Sequence, residues 1–212
     1  MRITVMLKTL RTIIVALAVT ASGTLPAMAT EEPVFTLVNK EGSFEIRDYA
    51  PVIVAETTLT GSAERARNAG FQPLADYIFA KDRKGSTIAM TAPVTQAPRE
   101  QIAMTAPVTQ SSAGDSWTIS FTMPASYTME TLPTPVNPNV RLVPQAARRM
   151  AVLRFSGTAS ADSMEKVRID LLARVKALNL QTVGEPVFAF YDPPWTIPFF
   201  RRNEVMVELV QR

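Results

Sequence analysis

Apolar residues recur along this chain at two periods, every second position in short runs and every third or fourth in two longer ones. The first marks strands half-buried on a sheet, the second the inward stripe of an amphipathic helix. Val34 to Val38, Phe44 to Tyr49 and Val52 to Leu59 read as strands. In the second, Phe44, Ile46 and Asp48 share one face while Glu45 and Arg47 take the other. Asn39 to Ser43, with Gly42, reads as the hairpin connection before it. Across 61–80 the spacing of Ala63, Ala66, Gly70, Leu74 and Tyr77 predicts a helix whose small residues suit close packing on a sheet. Pro73 is expected to kink or restart that helix, because it lacks an amide hydrogen and clashes one turn back.

A charged turn, Lys81 to Ser86, precedes two copies of IAMTAPVTQ at 88–96 and 102–110. Their 14-residue offset is too short for a solenoid repeat. An antiparallel strand pair, or one strand with a duplicated insertion, accounts for them. Trp117, Ile119, Phe121 and Met123 alternate with polar residues as a strand. Prolines at 124, 133, 135, 138 and 144 make an extended joint, with room for an edge strand at Val140 to Val143.

Beyond the joint the order repeats. Met150 to Phe155 is a strand, and Asp162 with Glu165 is a variant capping box. Met164, Val167, Leu171, Val175 and Leu178 form a helical stripe ending at Asn179. Val187 to Tyr191 and Glu204 to Val210 are strands around a Pro-rich loop. Each half reads strand, helix, strand, strand. The expected fold is α+β, a duplicated β-α-β-β unit with pseudo-twofold symmetry. Its two helices lie on one side of a curved, mainly antiparallel sheet.

The N-terminus changes the picture of charge. Arg2, Lys8 and Arg11 precede an apolar run from Ile13 to Ala21 and a small-x-small site at Ala27-Met28-Ala29, the layout of a secretory signal peptide. Cleavage after Ala29 would leave a single domain, residues 30–212, in the periplasm or medium without a stable membrane anchor. The chain has 22 basic and 19 acidic residues, and the three signal cations supply the whole excess. A nucleic-acid binder would keep a basic surplus on its folded domain, so that class is set aside. Histidine and cysteine are both absent. Serine and cysteine triads, ordinary zinc sites and His- or Cys-ligated haem therefore cannot be built.

Three segments in order carry a family resemblance. The first is Ala75-Asp76-Tyr77-Ile78-Phe79 followed by Ile88-Ala89-Met90-Thr91-Ala92-Pro93-Val94. The second is the Trp117 strand ending in Phe121-Thr122-Met123-Pro124, and the third is Tyr191-Asp192-Pro193-Pro194-Trp195 with Arg201-Arg202-Asn203-Glu204-Val205. Together they resemble the SOUL haem-binding family over roughly Val34 to Val210. The resemblance implies a twisted half-barrel with two helices and an internal repeat. It also implies haem, or another tetrapyrrole, as a non-covalent and weakly ligated partner.

On that resemblance the first helix offers Phe71, Leu74, Ala75 and Ile78 as a porphyrin-contacting surface. Arg65, Arg67, Lys81, Arg83 or Lys84 could pair with propionates. Apolar side chains on such a helix more often simply pack inward. Met90 and Met104, equivalent in the two nonapeptides, are the axial candidates, although methionine in an apolar strand is usually a core filler. Tyr77 and Tyr191 are the phenolate candidates. Two other classes stay open: a small-molecule hydrolase of the related effector-binding fold, with Glu204, Glu56 and Tyr191 as acid–base groups, and a module for another apolar ligand or an envelope partner. For Arg201, Arg202 and Glu204 the structural reading is loop fixation, with Asp192 as an Arg partner.

Overall fold

A computed structural model of the chain describes residues 31–79, 102, 105–113, 115–193 and 195–211. Residues 1–30, where a signal peptide is expected, the first IAMTAPVTQ copy, and Lys81, Arg83, Lys84, Met90 and Met104 lie outside the described residues. The described strands are β1 (Phe35–Glu41), β2 (Phe44–Tyr49), β3 (Val52–Thr60), β4 (Val108–Ala113), β5 (Ser116–Thr122), β6 (Arg141–Gln145), β7 (Arg148–Phe155), β8 (Thr182–Phe190) and β9 (Asn203–Leu209). Helix α1 (Ala63–Ile78) follows β3 and α2 (Ala161–Ala177) follows β7.

All nine strands join in one antiparallel sheet, in the order β1-β2-β7-β9-β8-β4-β5-β3-β6. Read outward from the central β4–β8 pair, one side runs β4, β5, β3, β6 and the other β8, β9, β7, β2. Corresponding strands occupy corresponding places, and each helix follows the equivalent strand, β3 or β7. The duplicated β-α-β-β arrangement expected from the element order is therefore present, with β1 added at one edge. The last residues of the second nonapeptide, Val108 to Gln110, open β4 and pair with both β5 and β8.

Alternation along the strands assigns the two faces. Phe44, Ile46, Ala151, Leu153, Val205 and Val207 point toward α2 and meet Met164, Leu171 and Val175. Ala55, Ile119 and Phe121 meet Leu74, Tyr77 and Ile78 of α1. The opposite face carries Glu45, Arg47 and Tyr49 on β2, Arg148, Met150 and Val152 on β7, and Glu204, Met206 and Glu208 on β9, which follows from the period of two. The expected split of β2, Phe44 and Ile46 against Glu45 and Arg47, is the one observed.

Two local details differ from expectation, and two agree with it. α1 runs unbroken through Pro73. The carbonyl that Pro73 leaves without an amide partner belongs to Ala69, an exposed position where water can reach it. α2 is capped by Ser160, whose Oγ accepts from the Ser163 amide, while Asp162 sits in the first turn. Asn179 does take the left-handed conformation, at φ 54°, just beyond the helix. The joint at 124–144 leads into β6, which lies at the sheet edge as a strand containing Pro144 should.

Candidate functional site

Two surfaces concentrate chemistry. The first is on the helix-free face, where Arg47 is 2% exposed and Glu204 1%. The guanidinium grips Glu204 through both Nη atoms at 2.9 Å, donates from Nε to Glu45 at 2.7 Å, and reaches the Tyr49 hydroxyl at 2.8 Å. Tyr191 donates its hydroxyl to Glu204 at 2.7 Å. Arg154 approaches the other Glu204 oxygen at 3.5 Å. Strand pairing produces this cluster, because β2, β7 and β9 are neighbours and all of these side chains fall on one face. Burial pushes the Tyr191 phenol far above its ordinary value, and the adjacent Glu204 carboxylate pushes the same way. Such a phenol stays protonated, so the geometry disfavours Tyr191 as a phenolate ligand to iron.

The same arrangement bears on the acid–base candidates. Both Glu204 oxygens are taken, one by Arg47 and Tyr191, the other by Arg47 and Arg154. Glu56 sits on β3, paired to Arg141 at 2.9 Å. Three strands separate β3 from β9 in the sheet, so Glu56 and Glu204 are roughly 19 Å apart measured along it. Tyr191 and Glu204 come together, and Glu56 does not join them.

The second surface lies around α1 and the β8–β9 connection. Leu74, Ala75 and Ile78 are 0%, 6% and 1% exposed, packed into the core beneath α1 rather than turned outward. Their inward direction follows from one stripe that also includes Ala66, Gly70 and Tyr77. Phe71 is 41% exposed and lies edge-on to Phe121, with ring centroids 5.4 Å apart. Arg65 is exposed. Arg67, one turn before Phe71, stacks 5.0 Å over the Phe190 ring and has no carboxylate within ion-pair range among the described residues. Burial lowers its affinity for a proton; Glu64 counters this, and neighbouring Arg201 adds to the lowering.

Beside them runs the β8–β9 connection. Trp195, Ile197, Phe199 and Phe200 are 83%, 63%, 76% and 70% exposed. The loop that carries them is rigidly tied. Arg201 Nε donates to the Thr196 carbonyl at 2.8 Å, the Gly157 amide to the Pro198 carbonyl at 2.9 Å, and the Arg202 amide to Asp192 at 2.5 Å. Arg202 itself stacks 3.6 Å from the Tyr191 ring centre and pairs with Glu32. Loop fixation by Arg201, Arg202 and Asp192 is thus present, except that Asp192 holds a backbone amide and not a guanidinium. The sequence reading missed this aromatic loop as a surface. Its signal was there, four large apolar residues within six positions broken by proline.

The residues fit a haem held by its faces and propionates. An exposed aromatic surface is present, with Arg67 beside it lacking a carboxylate partner among the described residues; no group of three or more His, Cys, Asp or Glu suited to a metal occurs among the described residues, and the whole chain has neither His nor Cys.

Comparison with known proteins bears on fold and family. Among solved structures, the C-terminal domain of EcmrR is similar at TM-score 0.57 and 10% identity, covering 80% of this chain and 98% of that one. A hydrolase from Listeria innocua is similar at TM-score 0.52 and 12% identity, over 82% and 94%. An uncharacterized conserved protein from the same organism gives TM-score 0.53 and 11% identity, over 79% and 92%. At these identities the likeness is one of fold. No curated protein matches the sequence. The family model described as SOUL heme-binding protein matches residues 30–208, nearly all of the chain outside the signal-like segment. The chain belongs to the SOUL haem-binding protein family.

Proposed function

We propose that this protein binds haem, or a related tetrapyrrole, non-covalently in the cell envelope and serves to buffer, carry or scavenge it. The observation that carries the reading is the exposed aromatic loop, Trp195 to Phe200, standing beside the carboxylate-free Arg67. A porphyrin needs an apolar platform on the order of its own flat face and cations for two propionates. The loop rings supply the first, and Arg67 with Arg65 supplies the second. Phe71, the one outward apolar residue among the helix candidates, extends the platform along α1. Iron would receive no imidazole or thiolate, so exchange of the ligand should be easy, which suits a carrier.

Location in the periplasm or medium is supported by the signal-like N-terminus, with cleavage after Ala29. Edman sequencing of the protein recovered from the envelope fraction should begin at Thr30; recovery from the cytoplasm with Met1 intact refutes this location.

The deciding experiment is a hemin titration of residues 30–212, followed by the Soret band. One-to-one saturation is expected. Phe199→Ser with Trp195→Ser should weaken it at least tenfold, and Arg67→Gln by about tenfold, the worth of one charge-assisted hydrogen bond. Saturation indifferent to all three substitutions would move the site elsewhere. An unsaturable response equal to that of a size-matched control would remove haem as the ligand.

A further inference from the structure

The β8–β9 connection offers more apolar surface than one flat ligand covers. Trp195, Ile197, Phe199 and Phe200 are each more than half exposed, so the loop projects as a tip. The Phe199 and Phe200 rings stand edge to face, at 76° with centroids 5.4 Å apart. A planar macrocycle lying along one ring meets only the edge of the other, and the rest of the tip stays in water. Exposed apolar surface gathered in this way marks a contact with a partner protein or a membrane.

Two further observations select the membrane. The first is the backbone of the tip, which answers several of its own polar groups. The Thr196 amide donates to the Pro193 carbonyl at 3.0 Å, the Phe200 amide to Ile197 at 2.9 Å and the Arg201 amide to Pro198 at 3.1 Å. Pro198 has no amide hydrogen to satisfy, and the Thr196 carbonyl accepts from Arg201 Nε. This suits a loop that leaves bulk water for the lipid interface, because each open N–H or C=O carried out of water costs free energy. The second is charge. Arg201 and Arg202 follow the apolar residues directly. Arg67 rests on Phe190, where the loop leaves β8, with no carboxylate in ion-pair range among the described residues. The nearby carboxylates Glu32 and Asp192 are already engaged, with the guanidinium and the amide of Arg202. Aromatic side chains backed by arginine match a lipid interface, rings in the acyl boundary and cations at the phosphates.

We infer that this tip docks the protein reversibly on the surface of an anionic lipid bilayer. Trp195, Ile197, Phe199 and Phe200 enter the boundary between headgroups and acyl chains, and Arg67 meets a lipid phosphate. No helix among the described residues is long and apolar enough to cross a membrane, and this contact needs none, since a few side chains at the interface make it. Docking belongs to the ligand-free protein and does not depend on the haem reading. It would also hold the loop where an amphiphilic macrocycle dissolved in the bilayer can reach it.

The test is co-sedimentation of the mature protein with sucrose-loaded vesicles of phosphatidylethanolamine and phosphatidylglycerol, with no hemin present. Saturable binding is expected. Trp195→Ser with Phe199→Ser should weaken it at least about tenfold, the effect of keeping one large apolar side chain in water. Arg67→Gln should weaken it about fivefold, as for one cation near an anionic surface. Ile169→Ser, which removes another exposed apolar residue from α2, should leave it unchanged. In a Trp117→Phe background Trp195 is the only indole, and lipids brominated near the headgroup end of their chains should quench its fluorescence. No binding, or binding indifferent to the tip substitutions, overturns the inference. So does self-association without vesicles that the same substitutions abolish, which would assign the tip to a second copy of the chain. Vesicle binding with a failed hemin titration would sink only the haem reading, and hemin saturation without vesicle binding would sink only this one.

Discussion

Replacing Arg47 by Met is the perturbation whose cost the structure defines most closely. The methionine fills much of the same volume but strands Glu204, 1% exposed, with only the Tyr191 hydroxyl at 2.7 Å and Arg154 at 3.5 Å. Arg154 is 46% exposed and shares its charge with solvent, so it compensates little. Four close contacts of the guanidinium disappear, to Glu204 twice, to Glu45 and to Tyr49. Summed as charge-assisted hydrogen bonds they would exceed about 6 kcal/mol. Such sums overshoot because members of one network are not additive, and breaking a buried pair by removing one partner generally costs about 3–5 kcal/mol. Equilibrium urea unfolding measures it. With a slope of about 2 kcal/mol per molar, the midpoint should fall by about 2 M at unchanged slope. The double variant Arg47→Met with Glu204→Leu removes both charges and should recover most of the loss, to within about 1 kcal/mol of the parent. A single variant that loses under about 1 kcal/mol, or a double variant no better than the single, would show that desolvation of Glu204 is not what the arginine offsets.

Other expectations can be checked on the same material. Gly70→Ala should destabilise despite alanine's better helix propensity, because its Cβ would lie 2.7 Å from Ile119 and 2.8 Å from Leu59; overpacking of about 1–3 kcal/mol outweighs the roughly 1 kcal/mol propensity gain, and a rise in urea midpoint would refute it. The Arg149 guanidinium holds Asp48 below its usual carboxylate range through two 2.7 Å hydrogen bonds. That contribution is present above the unfolded value near 3.9 and is lost as pH falls through the lower folded value, so Arg149→Gln should unfold less steeply in acid, and parallel pH profiles for the two proteins would be the contrary result. Tyr191 has the opposite sign. Burial and Glu204 raise it, so its stabilisation is complete below the unfolded value near 10 and drains away as pH rises beyond. Tyr191→Phe should be weaker at pH 8 but show a flatter decline in alkali by circular dichroism.

The fold was legible because its signals are local. Period-two alternation found β2, β3, β5, β7 and β9 within a residue or two, and Asn179 marked the end of α2. Pro73 misled because the rule against proline assumes its carbonyl partner is cut off from water, and Ala69 is not. Phe71, Leu74, Ala75 and Ile78 could be placed on one helix but not separated into outward and inward members. The sequence does not say which side of α1 the sheet approaches, and the wide buried stripe claimed three of the four. Glu204 and Tyr191 were singled out, yet Arg47 was not, since 157 positions separate it from Glu204 and only strand order brings them together. The aromatic loop was passed over as punctuation because proline drew the eye and exposure is a tertiary property.

The pairing of β4 with β8 has a mechanical consequence. It joins the two halves through three residue pairs, against seven between β3 and β5 and six between β7 and β9. Opening should therefore begin along this line, each half parting as its own cooperative unit, with the amides of Val108 to Gln110 exchanging earlier than those of β7 or β9. The line runs beneath the proposed haem surface, for Arg67 of one half rests on Phe190 of the other. Anything bound there spans the join like a stitch, so occupancy should be recorded as slowed exchange at Val108 to Gln110 even where the ligand touches none of those amides.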